Sequence, residues 1–356
     1  MSKINYSFLI TLLYISCSSE NVQLTSPSTE SMYFPPLTGN VWETKSIASL
    51  GWKQTAVQPL LDYLELKHSK GFIILVNGRI VLENYFNGHS ASTSWYWASA
   101  GKTLTSTMTG IAQQEGLINI NNKVSDYIGT SWTSLPLAKE NLITNKHLLT
   151  MTSGLEDIAN GDAVDPASLT YKVDAGTRWA YHNVYVKLQD VIAHASGQSF
   201  ENYFNAKLKT KIGMDGLWFT SGNNSVFAST TRSMARFGLL MLNKGKWENN
   251  IILNENYFDE ATNTSQNINL SYGYLWWLNG KTSYHLPQSQ LQLSGSIIPS
   301  GPNDMFMALG KNDQKIYVIP SKKMVVIRMG DPADSVNLAL SDFDEVLWQK
   351  INALYQ

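Results

Sequence analysis

Cysteine is almost missing from this chain: Cys17 is the only one in 356 residues. With a single thiol, no internal disulfide can staple the fold. An excess of one charge is missing too, since 27 basic and 28 acidic residues leave a formal net charge of −1. There is no long basic run and no repeated basic–aromatic pattern, so nothing draws the chain as a whole to nucleic acid. No zinc-ligand cluster and no internal repeat is visible. No apolar run approaches the roughly 20 residues of a membrane-crossing helix. What the chain does have is aromatic surface, with 11 Trp and 17 Tyr. Aromatics in this number serve either a lined cleft or a large core. The length suffices for one large core or two lobes.

The first residues read as a targeting segment. Lys3 precedes a short apolar run over 8–15, Cys17 follows in ISCSSE, and a polar stretch covers 18–30. This pattern predicts an export signal over 1–16 and a polar linker over 17–34. The Cys17 context resembles a bacterial lipoprotein signal, with Tyr14 where leucine is preferred three residues earlier. That resemblance implies lipidation of Cys17 and a lipoprotein anchored at the periplasmic face or cell envelope. Simple secretion, or a cytoplasmic chain with an incidental cysteine, are the alternatives.

Further on, GFIILVNGRIVLENY (71–85) places two apolar runs around Asn77-Gly78, a hairpin signal. Helical patterns follow the opening segment to about 116, then over 184–195, 199–212 and 229–242. Strand patterns occupy 272–278, 305–309, 315–319 and 324–329, and a helical one 334–355. Residues 161–176 read as a loop over a site or a surface excursion. Strands at both ends with helices between predict an α/β (α+β) fold: an antiparallel sheet flanked by helices, with an inserted helical lobe. The expected boundaries are 35–100 and 225–356 for the α/β lobe and 101–224 for the helical one.

Chemistry concentrates in WYWASAGKTLTSTMTGI (95–111). Gly101-Lys102-Thr103 resembles the end of a phosphate loop, but the first glycine of G-x-x-x-x-G-K-[ST] is replaced by Tyr96. That reading fails. Ser99 and Lys102, three apart, share one helix face. A serine at a helix start faces unpaired backbone N–H groups and the positive end of the dipole. It becomes a nucleophile only with a base beside it, and lysine is a base only when its pKa is lowered. Ser99 as a plain N-cap, with Lys102 in solvent, fits the same spacing. No G-x-S-x-G elbow competes.

Two further segments carry candidate groups. In YHN, Tyr181 can move a proton and Asn183 can hold a lysine amine and donate to a carbonyl. A buried tyrosine and a helix cap fit equally. In GKND, Lys311, Asn312 and Asp313 lie between two strand patterns. Backbone N–H groups there can complete an oxyanion hole, with Lys311 adding positive potential. A plain hairpin turn is the alternative.

SAGK, YHN and GKND in this order resemble the serine beta-lactamase and penicillin-binding-protein family. The likeness is greatest to class C beta-lactamases, D-alanyl-D-alanine carboxypeptidases, related esterases and 6-aminohexanoate-dimer hydrolases. HLLTMTSGLED (147–157) resembles its LLTHTSGL segment, with Met151 in place of histidine. STTRSMARFGLLMLNKGKW, YGYLWW and VIPSKKMVVIRMG resemble its later helix and strands. The resemblance spans about 72–348.

It implies that Ser99 is the nucleophile, Lys102 its activator, Tyr181 the general base and acid, and Asn183 an orienting group. Lys311, Asn312 and Asp313 stand where the family has lysine, threonine and glycine. Asp313 would then bring bulk and negative charge to the substrate edge and disfavour carboxylate-bearing substrates. Gln314 would supply an oxyanion N–H together with Ser99, and leans toward the esterase and nylon-oligomer relatives. Trp97, Trp276 and Trp277 are expected around the pocket, with one of the adjacent pair in the core. Asp162 and Asp165 are expected at the cleft, to receive a cationic substrate end.

The implied reaction is hydrolysis of an ester or amide through an acyl-enzyme on Ser99, without metal or organic cofactor. The expected partner is a small-molecule or short peptide-like substrate, with a lipid anchor through Cys17 and neither nucleic acid nor a protein partner. A beta-lactamase or carboxypeptidase acting on cell-wall-like substrates, and a non-catalytic binding or sensing protein, are the other two readings.

Overall fold

The run FIILV lies in strand β1 (Ser69–Val76), whose residues are nearly all buried. A strand covered on both faces needs no polar alternation. Asn77 and Gly78 then turn the chain with φ of 52° and 81°, the two left-handed centres of a type I′ hairpin. Strand β2 (Arg79–Tyr85) returns antiparallel. Gly78 is required for a second reason, because a Cβ there would overlap the Tyr33 carbonyl. A computed structural model describes residues 1, 30–334 and 340–355 of the chain. The expected signal over 1–16, Cys17 and most of the linker lie outside the described residues.

Strands β3 (Trp95–Tyr96), β4 (Leu217–Ser221) and β5 (Asn224–Ser229) form a small sheet in the order β3-β5-β4. Strands β6 (Trp277–Leu278), β7 (Phe306–Gly310), β8 (Gln314–Ile319) and β9 (Met324–Gly330) complete the main sheet. Its six strands run in the order β2-β1-β9-β8-β7-β6, each neighbour antiparallel. This is the expected antiparallel α/β architecture.

The longer helices are α1 (Val57–Leu66), α2 (Lys102–Gln114), α3 (Lys187–Ser196), α4 (Thr231–Leu242) and α5 (Asp342–Asn352). Alternate residues of β8 point to opposite faces of the sheet. Lys315 and Tyr317 both meet Asp344 of α5. Ile316 instead lies by Gly238 of α4. Helix α5 and its neighbour α1 therefore cover one face and α4 the other. The segment 101–224 carries α2 and α3 as expected, but its last residues form β4 rather than more helix. Residues Met32–Gln356 form one compact unit. Among the described residues no helix is long and apolar enough to cross a membrane.

Helix α2 is buried from Lys102 through Ala112. A sequence as polar as KTLTSTMT tolerates this because its threonine hydroxyls find buried partners, although the Ser106 hydroxyl has none among the described residues. Thr103, Thr107 and Thr109 donate to the carbonyls of Ala100, Thr103 and Thr105, so these buried hydroxyls are satisfied.

Gly78→Ala adds a clash to a left-handed centre. It is expected to cost about 1–3 kcal/mol, read as a lower urea midpoint with unchanged m-value.

Candidate active site

The site starts with one anchored tryptophan. Trp97 follows β3, donates its backbone N–H to Phe227 (2.8 Å) and its indole N–H to Ser229 Oγ (2.8 Å). With that side chain fixed in the core, the chain must turn sharply. Ala98 takes φ 47°, a left-handed conformation that costs an L residue about 1 kcal/mol or more. Ser99 is the second residue of a short 3₁₀ turn, Ala98–Gly101, that runs directly into α2. The tight turn therefore places Ser99 at the wall of a cavity of about 440 Å³.

Lys102, Tyr181, Asn183 and Lys311 line that same cavity. The fold thus brings together residues from three separate stretches of sequence. The Ser99 hydroxyl and the Tyr181 phenol share this cavity wall, and the one acts on the other. Burial pushes that phenol's pKa well up, while the serine hydroxyl pulls it down. Lys102 is only 5% exposed. Desolvation drives its amine from 10.5 down to about 7, with the Asp162 carboxylate pulling the other way. Position at a helix N-terminus also disfavours a cation. The Lys102 Nζ sits 4.1 Å from the ring centroid of Tyr185 and 5.1 Å from that of Tyr181.

Tyr181 is held from behind. Ala180 donates to the Met151 carbonyl at 2.8 Å, and the Tyr181 ring stacks on Trp277 at 5.7 Å. Asn183 ties two loops together, its Nδ2 donating to the carbonyls of Asp162 and Asn223, both at 2.9 Å. The donor expected for a substrate carbonyl is therefore engaged by backbone.

Several expected positions turn out elsewhere. Trp97 and Trp276 do not line the cavity; both are fully buried. Trp276 packs between Phe237 and Phe306 in the core. Asp165 is turned to Ser168, accepting from its N–H and hydroxyl. Asp162 does line the cavity.

The largest correction concerns 312–313. Asn312 and Asp313 both have positive φ, 60° and 58°. Their left-handed turn rotates the Asp313 carboxylate away from the cavity and into the protein. There it accepts from Ser341 Oγ (2.7 Å) and Ala333 N–H (3.2 Å) and pairs with Lys315 (3.2 Å). It brings no charge to the substrate edge. The Asn312 side chain donates to the Tyr96 hydroxyl at 2.6 Å. Gln314 is fully buried and its side chain exchanges hydrogen bonds with the Gly330 backbone. Gly310 lies close against the serine turn, and Lys311 follows it at the cavity wall. A Cβ on Gly310 would lie 2.5 Å from the Trp97 carbonyl oxygen and 3.0 Å from the Ala100 nitrogen. Only glycine permits that approach.

Among the wall residues that sequence reasoning missed are Tyr96, Tyr185, Phe219 and Val226. Tyr96 stood inside the opening segment. Tyr185 stood four residues beyond Tyr181. Phe219 and Val226 face each other across the β4–β5 hairpin, and LWFTSGNNSVFAS carries its turn signal in Gly222-Asn223.

The beta-lactamase family model matches residues 68–330, and the chain belongs to that family, whose members share serine-hydrolase, esterase-like chemistry. A protein assigned as a 6-aminohexanoate-dimer hydrolase from Bacillus anthracis superposes with a TM-score of 0.67 at 19% identity, covering 92% of each chain. One assigned as a beta-lactamase from Bacteroides dorei gives 0.68 at 15%, over 85% of this chain and 99% of its own. A family VIII carboxylesterase gives 0.63 at 15%, over 85% and 96%. At these identities the likeness is one of fold. No curated protein matches the sequence.

Lys102 binds a proton below about pH 7 when folded and below about 10.5 when unfolded. Between those values the unfolded chain holds more protons, so this residue's cost to stability shrinks as pH rises. Lys102→Met is expected to be more stable than wild type at pH 7. The gap, read by denaturant titration, should close as pH approaches 10.5.

Proposed function

We propose that the protein is a serine hydrolase that cleaves an ester or amide through an acyl-enzyme on Ser99. One observation carries this reading: a buried lysine amine, with a pKa near neutrality, lies one turn from a serine that shares a cavity wall with a tyrosine. Ser99 Oγ attacks the carbonyl carbon. Its proton passes to the Tyr181 oxygen, and the tyrosine's own proton to the Lys102 amine. Burial disfavours a lasting phenolate, which makes the amine the better resting place. The oxyanion lies between the backbone N–H groups of Ser99 and Lys311, because Gly310 brings that strand end against the serine turn. Tyr181 returns the proton to the leaving group. Water then attacks the acyl-enzyme, regenerating Ser99 and releasing the acid.

The similarity to esterase and amide-hydrolase structures supports neutral esters or linear amides as substrates. Withdrawal of Asp313 favours a second reading. With that carboxylate turned inward, Lys311 faces the cavity without a neighbouring negative charge from 313. A substrate carboxylate, as in beta-lactams or D-alanyl peptides, is then admissible. Turnover of p-nitrophenyl esters, nitrocefin, aminohexanoate dimer and a D-alanyl peptide separates the two readings. The N-terminal pattern adds export and lipidation of Cys17. Mass spectrometry of the membrane fraction tests it: a mature chain beginning with a diacylated Cys17 is expected.

Ser99→Ala is expected to abolish labelling by a fluorophosphonate and to reduce ester turnover at least a hundredfold. Unchanged labelling would falsify the proposal. Only the neutral amine accepts the proton, so kcat/KM should fall tenfold per pH unit below about 7. Lys102→Arg, cationic throughout, should lose at least a hundredfold at every pH.

A further inference from the structure

The Lys102 amine has an unusual set of neighbours for a buried polar group. Buried amines ordinarily meet a carboxylate or a carbonyl. Among the described residues none hydrogen-bonds or ion-pairs with Lys102 Nζ. The charged and titratable groups around it are Asp162, which acts from a distance, His182, Tyr181, Tyr185 and, across the cavity, Lys311. What lies against the amine is aromatic face. Tyr185 offers the nearer ring, 4.1 Å from Nζ to its centroid, against 5.1 Å for Tyr181. Tyr185 itself is 3% exposed and lines the same cavity. It belongs to the short 3₁₀ turn Asn183–Val186 that leads into α3.

We propose that the ring face of Tyr185 is a positioning element for Lys102, holding its amine within reach of Ser99 and Tyr181 in place of an anionic partner. The reasoning rests on the hydrolase reading above. A carboxylate at 4 Å would hold the amine equally well but would lock it as ammonium, useless as a base. Bare apolar walls would leave it neutral but free to swing, since four rotatable bonds separate it from the backbone. An aromatic face lies between these extremes. Its quadrupole attracts N–H groups and the cation moderately, so the amine has a fixed place and still titrates. Tyr181 is the less effective support, because its ring centroid is farther from the amine, at 5.1 Å against 4.1 Å.

Two substitutions at 185 separate the ring face from everything else about the residue. Tyr185→Phe keeps the face and loses the hydroxyl; Tyr185→Leu keeps apolar bulk and loses the face. Two readouts apply: acetylation of Lys102 by acetic anhydride against pH, followed by mass spectrometry, and kcat and KM for a p-nitrophenyl ester. In Y185L the amine should titrate about one pH unit lower than in wild type, because a cation-stabilising face is gone. Its kcat should fall about tenfold or more with KM little changed. Y185F should recover both readouts. Wild-type titration and kcat in Y185L overturn the proposal. So does a Y185F as impaired as Y185L, which would assign the role to the hydroxyl. If Y185L does not fold, Tyr185→Met makes the same comparison. The acetylation profile does not depend on turnover. A profile that shifts while S99A leaves ester turnover intact would therefore overturn the hydrolase reading and, with it, the catalytic purpose given to Tyr185.

Discussion

Taking one amine out of water is the constraint around which this molecule is arranged. Lys102 opens a helix that is buried from its first residue to Ala112, and desolvation carries its pKa down to about 7. Such a group destabilises the native state at neutral pH, and a simple core would replace it with an apolar residue. The surroundings are arranged to keep the amine dry and accessible at once. Threonine hydroxyls along α2 are tied to backbone carbonyls of their own helix turns. The nearest negative charge, Asp162, stands on a loop at the cavity and acts only through space. Two tyrosine rings cover the amine where an acid would otherwise sit.

The serine is presented by a mechanical device of similar economy. Trp97 is pinned at its backbone and at its indole, and the next residue absorbs the strain in a left-handed turn. Packing of one large aromatic thus holds a conformation that Ala98 does not adopt on its own. Gly310 then lets the end of β7 close against the same turn. Two backbone segments approach each other beside Ser99 because one side chain is large and another is absent.

Local chemistry was legible in the sequence. The Asn77-Gly78 hairpin, the Ser99–Lys102 face and the strands at 305–309, 315–319 and 324–329 each depend on neighbours in the chain and stand where periodicity and turn residues put them, whereas only Trp277–Leu278 of the strand expected over 272–278 is strand. Resemblance extended this to Tyr181, which periodicity could not place. Misreadings arose where orientation is decided by tertiary contact. Trp97 and Trp276 were expected at the pocket because large aromatics suit clefts, yet the same bulk suits a core. Asp313 was expected to follow Lys311 toward the substrate. Two successive left-handed residues, which nothing in Asn-Asp enforces, reverse it. Tyr185, Phe219 and Val226 become a wall only when the turn at 183–186 meets the distant β4–β5 hairpin.

That reversal explains how the front of the site is held. Two consecutive non-glycine residues at positive φ are costly, so the turn at 311–313 needs support from behind. Arg328, fully buried, donates to the carbonyls of both Asn312 and Asp313. The Asp313 carboxylate, Lys315 and Asp344 form a buried charge cluster that fastens the turn to α5. Burying that many charges contributes little net stability, since desolvation offsets most of the attraction. Its value lies in geometry, because a turn locked this way keeps Lys311 at the cavity and Gly310 against the serine. The molecule therefore divides its ionisable groups by task. Behind the sheet they are paired, and they fix shape. At the cavity Lys102 is left without an acid to neutralise it, and only an amine in that state can accept a proton near neutral pH.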